Sequence, residues 1–132
     1  MRILIVEDDY TSMKLMQKLL SAYGETVTAG NGEEALEAFR LAMDENKPFA
    51  LICLDIMMPG IDGQQVLKSI RAMEKVRGIA PKKEAKIIMT TALDSPKDVI
   101  EAYYQGGCSS YLVKPIEKKQ VIEKLRELEL IN

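Results

Sequence analysis

The sequence predicts an α/β fold, a parallel sheet with helices packed on both faces. Two observations predict it. Five short apolar runs alternate with five longer segments of helical spacing along the 132 residues. Four of those runs end abruptly in a carboxylate, a hydroxyl or an ammonium, as buried parallel strands do where their carboxyl ends reach the sheet edge.

The first strand is the apolar run Ile3 to Val6, within residues 2–6, and it leads into Glu7-Asp8-Asp9. A helix follows from about Tyr10 to Tyr23, with Met13, Met16, Leu20 and Tyr23 on one side and Gly24 as its expected stop. Thr26 to Ala29 reads as a short strand before the turn Gly30-Asn31-Gly32. The second helix, about Glu33 to Met43, turns Ala35, Leu36, Phe39 and Met43 inward. The third apolar run, Phe49 to Leu54, ends at Asp55, and a Met57-Met58-Pro59-Gly60 turn follows. From Gly63 to about Val76 a third helix carries Val66, Leu67, Ile70 and Met73 inward; Asp62-Gly63 reads as a turn and helix start. Ala85 to Met89 is the fourth strand, ending in Thr90-Thr91-Ala92. Ser95 suits the N-cap and Pro96 the first position of a fourth helix whose apolar side is Val99, Ile100 and Tyr103. Ser110 to Val113 is the fifth strand, ending in Lys114-Pro115, and the last helix runs from about Glu117 to Leu130 with Val121, Ile122, Leu125 and Leu128 inward.

The length fits one domain over residues 1–132, with no low-complexity segment or internal repeat. A net charge of −2 gives no electrostatic footprint for nucleic acid or an anionic membrane, so neither is expected as a partner. Lys75, Arg77, Lys82 and Lys83 read as a solvated loop cluster. No apolar run approaches the roughly 20 residues that span a bilayer. The opening residues do not form a signal peptide, so the protein is expected to be cytoplasmic. Cys53 and Cys108, without a histidine in the chain, make neither a disulfide framework nor a zinc site. The absence of histidine also excludes Ser-His-Asp and Cys-His catalysis. Any phosphohistidine in this protein's chemistry must therefore come from another molecule.

In a parallel sheet the strand ends share one edge, so Asp8, Asp9, Asp55, Thr91 and Lys114 converge. Carboxylates gathered this closely are costly unless a cation is shared among them. A hard divalent ion suits them, and Mg²⁺ takes one or two carboxylates plus waters and a phosphate oxygen. A carboxylate also serves as a nucleophile in phosphoryl transfer, with a lysine and a hydroxyl binding the transferring group.

Four motifs, in this order at these strand ends, resemble the receiver domain of two-component response regulators, the CheY-like family. They are Asp8-Asp9, the block from Asp55 to Gly63, Thr91-Ala92 and Lys114-Pro115. The resemblance covers essentially the whole chain. It implies a flavodoxin-like, doubly wound sheet of five strands in the order 2-1-3-4-5, with five helices. It implies that Asp55 accepts a phosphoryl group from the phosphohistidine of a sensor kinase or phosphotransfer protein. Asp9 directly, Asp8 through water, Asp55 and the main-chain carbonyl of Met57 would hold Mg²⁺. Thr91 would hydrogen-bond the phosphoryl group and Lys114 would pair with it. The Lys114–Pro115 bond would be cis. Tyr111 would act with Thr91 as the switch, turning inward and reshaping the face of the fourth helix, fifth strand and last helix toward a partner protein. The same face would serve a homodimer. Met57 and Leu93 lie where the family varies the side chains that govern water access, and both are apolar here, which implies slow autodephosphorylation. Such a protein catalyses only its own phosphotransfer and dephosphorylation and is otherwise not an enzyme.

Three other readings fit less well. An aspartate-nucleophile phosphohydrolase generally carries a second aspartate two residues after the nucleophile, where this chain has Met57. A pseudo-receiver would not need the complete set Asp9, Asp55, Thr91 and Lys114. A nucleotide-binding domain would need a glycine-rich loop after the first strand, which is missing.

Overall fold

The computed structural model describes residues 1–92, 97, 101 and 107–132. Five strands, β1 (Arg2–Val6), β2 (Glu25–Ala29), β3 (Leu51–Asp55), β4 (Lys86–Thr91) and β5 (Ser110–Val113), form one parallel sheet in the order β2-β1-β3-β4-β5. The expected strand order is therefore the observed one. Among the described residues there are four α-helices rather than the five expected: α1 (Tyr10–Leu20), α2 (Gly32–Asp44), α3 (Gly63–Val76) and α4 (Lys118–Glu127). The helix expected from Ser95-Pro96, with Val99, Ile100 and Tyr103, lies outside the described residues.

The alternation of side chains along buried strands divides the core in two. Leu4, Val6, Ile52, Leu54, Ile87 and Met89 point to one face, where they meet Ala35 and Phe39 of α2 and Val66, Leu67 and Ile70 of α3. Ile3, Ile5, Leu51, Cys53, Ile88 and Leu112 point to the other, against Met16 and Leu20 of α1 and Val121 and Leu125 of α4. Both faces of the three central strands are thus apolar, which is why the sequence shows unbroken runs there and not alternation. β2, at the edge, is only partly buried.

Helix ends follow local hydrogen bonding more than the reach of the apolar stripe. α4 stops three residues before Leu130 because Glu129 adopts φ 61°. The Glu129 and Leu130 N–H groups then close back on the Arg126 and Leu125 carbonyls at 3.0 and 2.9 Å. α2 ends the same way through Asn46 at φ 58°. Gly24 does not stop α1, whose C-cap is Ser21. Its role is close approach instead, because a Cβ there would sit 2.3 Å from the Met1 carbonyl oxygen.

The start of α3 fixes the site. Asp62 caps it, accepting from the Gln65 N–H at 3.0 Å while the Gln65 side chain accepts from the Asp62 N–H at 3.0 Å. Next to the cap, Gly63 packs against the end of β3, where a Cβ would fall 2.2 Å from the Asp55 carbonyl oxygen. Only glycine lets the loop fold back this tightly onto the residue that carries the central carboxylate.

Candidate functional site

β1 ends at Val6, but its ladder gains one more rung: the Glu7 N–H donates to the Ala29 carbonyl at 3.1 Å. Val6 faces the α2–α3 core, so alternation sends Glu7 to the other face. There it is 5% exposed. Lys114, just past β5, donates to Glu7 Oε1 at 2.7 Å and lies 3.5 Å from Asp55 Oδ2. Asp55, the last residue of β3, is 4% exposed and accepts the Met57 N–H on Oδ1 at 3.2 Å. One carboxylate oxygen each from Glu7, Asp8 and Asp55 lie within 4.8 Å of one another. Asp8 is the exposed member and faces solvent at the mouth of the cluster.

The electrostatics explain what the cluster wants. Burial pushes the Glu7 carboxyl up to about 7, the neighbouring Asp55 carboxyl adds to this, and Lys114 pulls it back. Burial also disfavours the charged Lys114 ammonium, but Glu7 and Asp55 outweigh that and its pKa is raised. Glu7 Oε2 is buried and no donor among the described residues reaches it. A buried carboxylate oxygen without a donor needs a proton or a cation. Three carboxylates with one orphaned oxygen and one exposed flank fit a hard divalent cation such as Mg²⁺.

The acidic triplet is shifted by one residue from the expectation. Asp9, read as the direct metal ligand, is the N-cap of α1 and does not join the cluster. Its Oδ2 accepts both the Ser12 N–H at 3.0 Å and the Ser12 hydroxyl at 2.7 Å. Those bonds hold its pKa below the usual carboxylate range. Glu7, read as peripheral, takes the inner place. The signal was in the sequence: a helix beginning at Tyr10 needs a capping residue immediately before it, which commits Asp9.

β4 runs two residues further than expected and includes both threonines, each buried. Thr90 is the register partner of Asp55. It lines a cavity with Glu7, Cys53 and Lys114 on the α1–α4 face. Thr91 ends the strand on the opposite face, the one shared by Met89 and its register partner Tyr111. Tyr111 is partly buried against that core, so Thr91 and Tyr111 stand on one side of the sheet. The Thr91 carbonyl accepts the Lys114 N–H at 2.7 Å, and the Lys114–Pro115 bond is cis, as expected. Met57 is 63% exposed beside Asp55. Leu93 lies outside the described residues.

A parallel sheet of order 2-1-3-4-5, with an acidic cluster at the carboxyl edge and a lysine before a cis-proline, defines the class of CheY-like receivers. The chain belongs to the response regulator receiver domain family, whose pattern it matches over residues 3–126. It is 36% identical over 125 residues to the polar-differentiation response regulator DivK of Brucella anthropi, a match covering 94% of this chain and 92% of that protein. It is 35% identical over 123 residues to the sensor histidine kinase GacS of Pseudomonas protegens, covering 92% of this chain but 12% of that protein. Among solved structures it is similar to the response regulator TrrA of Thermotoga maritima in complex with Mg²⁺ and a beryllium fluoride. That likeness has a TM-score of 0.75 and 34% identity, and covers 96% of this chain and 97% of that one. No helix among the described residues is long and apolar enough to cross a membrane.

Proposed function

We propose that this receiver is a phosphoacceptor switch in which Asp55 takes a phosphoryl group from a partner's phosphohistidine. The observation that carries the reading is the setting of Asp55: buried, oriented by the Met57 N–H, and within 3.5 Å of the Lys114 ammonium. An Asp55 oxygen forms the new bond to phosphorus, the phosphorus–nitrogen bond breaks, and the partner's histidine leaves as the free imidazole. Glu7, Asp8 and Asp55, with the Met57 main-chain carbonyl, would hold Mg²⁺. When bound, that ion supplies charge neutralisation for the phosphoryl oxygens. Lys114 pairs with one phosphoryl oxygen, giving up its contact with Glu7 to do so. Thr91 hydrogen-bonds another.

The output is a change in affinity for a partner protein. Thr91 and Tyr111 stand on one face of the sheet, which supports a coupling of phosphoryl binding to the position of the Tyr111 ring. The surface read is that of β5, α4 and the segment leading into β5. The chain acts on no outside substrate beyond its own phosphotransfer and dephosphorylation, works in the cytoplasm, and takes a sensor kinase or phosphotransfer protein as donor.

The test is intact-protein mass after incubation with Mg²⁺ and acetyl phosphate, beside Asp55→Asn. One added phosphoryl group, lost in the variant and without Mg²⁺, is expected. No adduct, together with unchanged amide shifts on adding beryllofluoride, would leave the chain an interaction module that takes no phosphate.

A further inference from the structure

The chain holds ten sulfur atoms, in eight methionines and two cysteines. Their exposures differ sharply. Met16, Met58 and Met89 are buried in the core. Met13, Met43 and Met73 are partly buried against it. Cys53 and Cys108 are buried too, and burial pushes their thiols up to about 12 and about 11, so neither supplies a thiolate for oxidation. Two sulfurs are left open to solvent: Met1, 41% exposed at the amino-terminal edge of the sheet, and Met57, 63% exposed at the carboxyl edge. The most exposed sulfur-bearing residue of the chain is therefore two residues from Asp55, and its N–H holds the Asp55 carboxylate.

We propose that Met57 is a reversible sulfoxidation site through which peroxide shortens the life of the group carried on Asp55. The inference rests on the phosphoacceptor reading above, although the order of oxidation does not. The step needs a two-electron oxidant, hydrogen peroxide. The Met57 sulfur lone pair attacks one peroxide oxygen, the sulfur–oxygen bond forms, the oxygen–oxygen bond breaks, and the other oxygen leaves as water. Sulfur is oxidised by two electrons and the peroxide is reduced. Thiol-driven methionine sulfoxide reductases reverse the change.

The chemistry beside Asp55 then changes character. An unoxidised Met57 is an exposed apolar side chain two residues from Asp55, whose carboxylate its N–H holds. The sulfoxide presents a strong hydrogen-bond acceptor in the same place. It draws water to the face from which an acyl phosphate is hydrolysed. Its partly negative oxygen also disfavours a doubly charged phosphoryl group nearby.

The experiment treats the whole chain with graded hydrogen peroxide, maps sulfoxides by peptide mass, and follows decay of the acetyl phosphate adduct. Met57 should oxidise several-fold faster than the six other internal methionines, and the adduct half-life should fall several-fold. Reductase treatment should restore it. Met57→Leu, which still oxidises at Met1, should show no peroxide response, and Met57→Gln should have a short half-life without peroxide. Oxidation of Met57 no faster than that of the six, or an unchanged half-life once Met57 is oxidised, overturns the proposal. If the unoxidised protein takes no phosphoryl group, the phosphoacceptor reading fails and the regulatory consequence falls with it. The oxidation map would still stand on its own.

Discussion

Glu7 and Glu74 are 5% and 2% exposed, one at the carboxyl edge of the sheet and one near its amino edge. Glu74 projects from α3 and has both oxygens satisfied. Arg71 Nη1 donates to Oε1 at 2.7 Å, and the Ala85 N–H, just before β4, donates to Oε2 at 2.8 Å. Arg71 goes on to the Ala85 and Gly107 carbonyls at 2.8 and 2.9 Å, so the acid completes a closed polar joint between α3, β4 and the approach to β5. Glu7 has one oxygen on Lys114 and the other without a donor. The same residue type, equally removed from water, is saturated where it joins α3 to β4 and has one oxygen without a donor among the described residues at the candidate site. That contrast separates a structural acid from a functional one more sharply than burial does.

The contrast breaks first at Glu74. Truncation to alanine leaves the Arg71 guanidinium and the Ala85 N–H without their acceptor, and should cost about 3 kcal/mol in urea unfolding. The refolded protein should still respond to Mg²⁺. A cost within error of zero would show that the joint is not needed.

Glu7 should behave in the opposite sense. Its carboxyl rises from 4.5 to about 7 on folding, so between those values the folded state binds more protons than the unfolded chain. Its favourable contribution is complete below pH 4.5 and is lost as pH rises through about 7. Glu7→Gln should therefore flatten the pH dependence and gain about 2 kcal/mol at pH 8 in metal-free protein. It should also lose much of the stabilisation that Mg²⁺ confers. Melting curves from pH 4 to 8, with EDTA and then with Mg²⁺, read both effects. A parallel pair of pH profiles for the two proteins would contradict the assignment.

The smallest effect separates neighbours in the acidic triplet. Asp9→Ala removes the α1 cap and should lower the melting temperature by a few degrees while leaving the Mg²⁺ response intact. Asp8→Asn should abolish that response with little change in the metal-free melt. The reverse pattern would return Asp9 to the metal site.

The strands and the edge at which the site lies were legible because each central strand is a continuous apolar run stopped by an ionisable or hydroxyl residue; the order of the strands came from the family resemblance. Asp55 and Lys114 could be placed at that edge because each follows such a run singly, whereas Thr91 has Thr90 beside it, and Thr90 is the one that lines the cavity with Glu7 and Lys114. The triplet Glu7-Asp8-Asp9 resisted, since three acids in a row carry no periodicity. Only the joint constraint of the β1 ladder reaching Glu7 and the α1 cap falling on Asp9 separates them. The end of α4 before Glu129 was illegible for a related reason, whereas α2, expected to end at Met43, ends one residue later at Asp44. A left-handed conformation at a residue other than glycine or asparagine is imposed by carbonyls seeking donors, and Glu-Leu announces none.

The 2.7 Å bond from the Lys114 N–H to the Thr91 carbonyl ties the tips of β4 and β5 into one mechanical piece. A displacement of the β4 tip would be passed through that peptide contact, and through the Thr91–Val113 pairing beside it, to the backbone that carries the Lys114 ammonium.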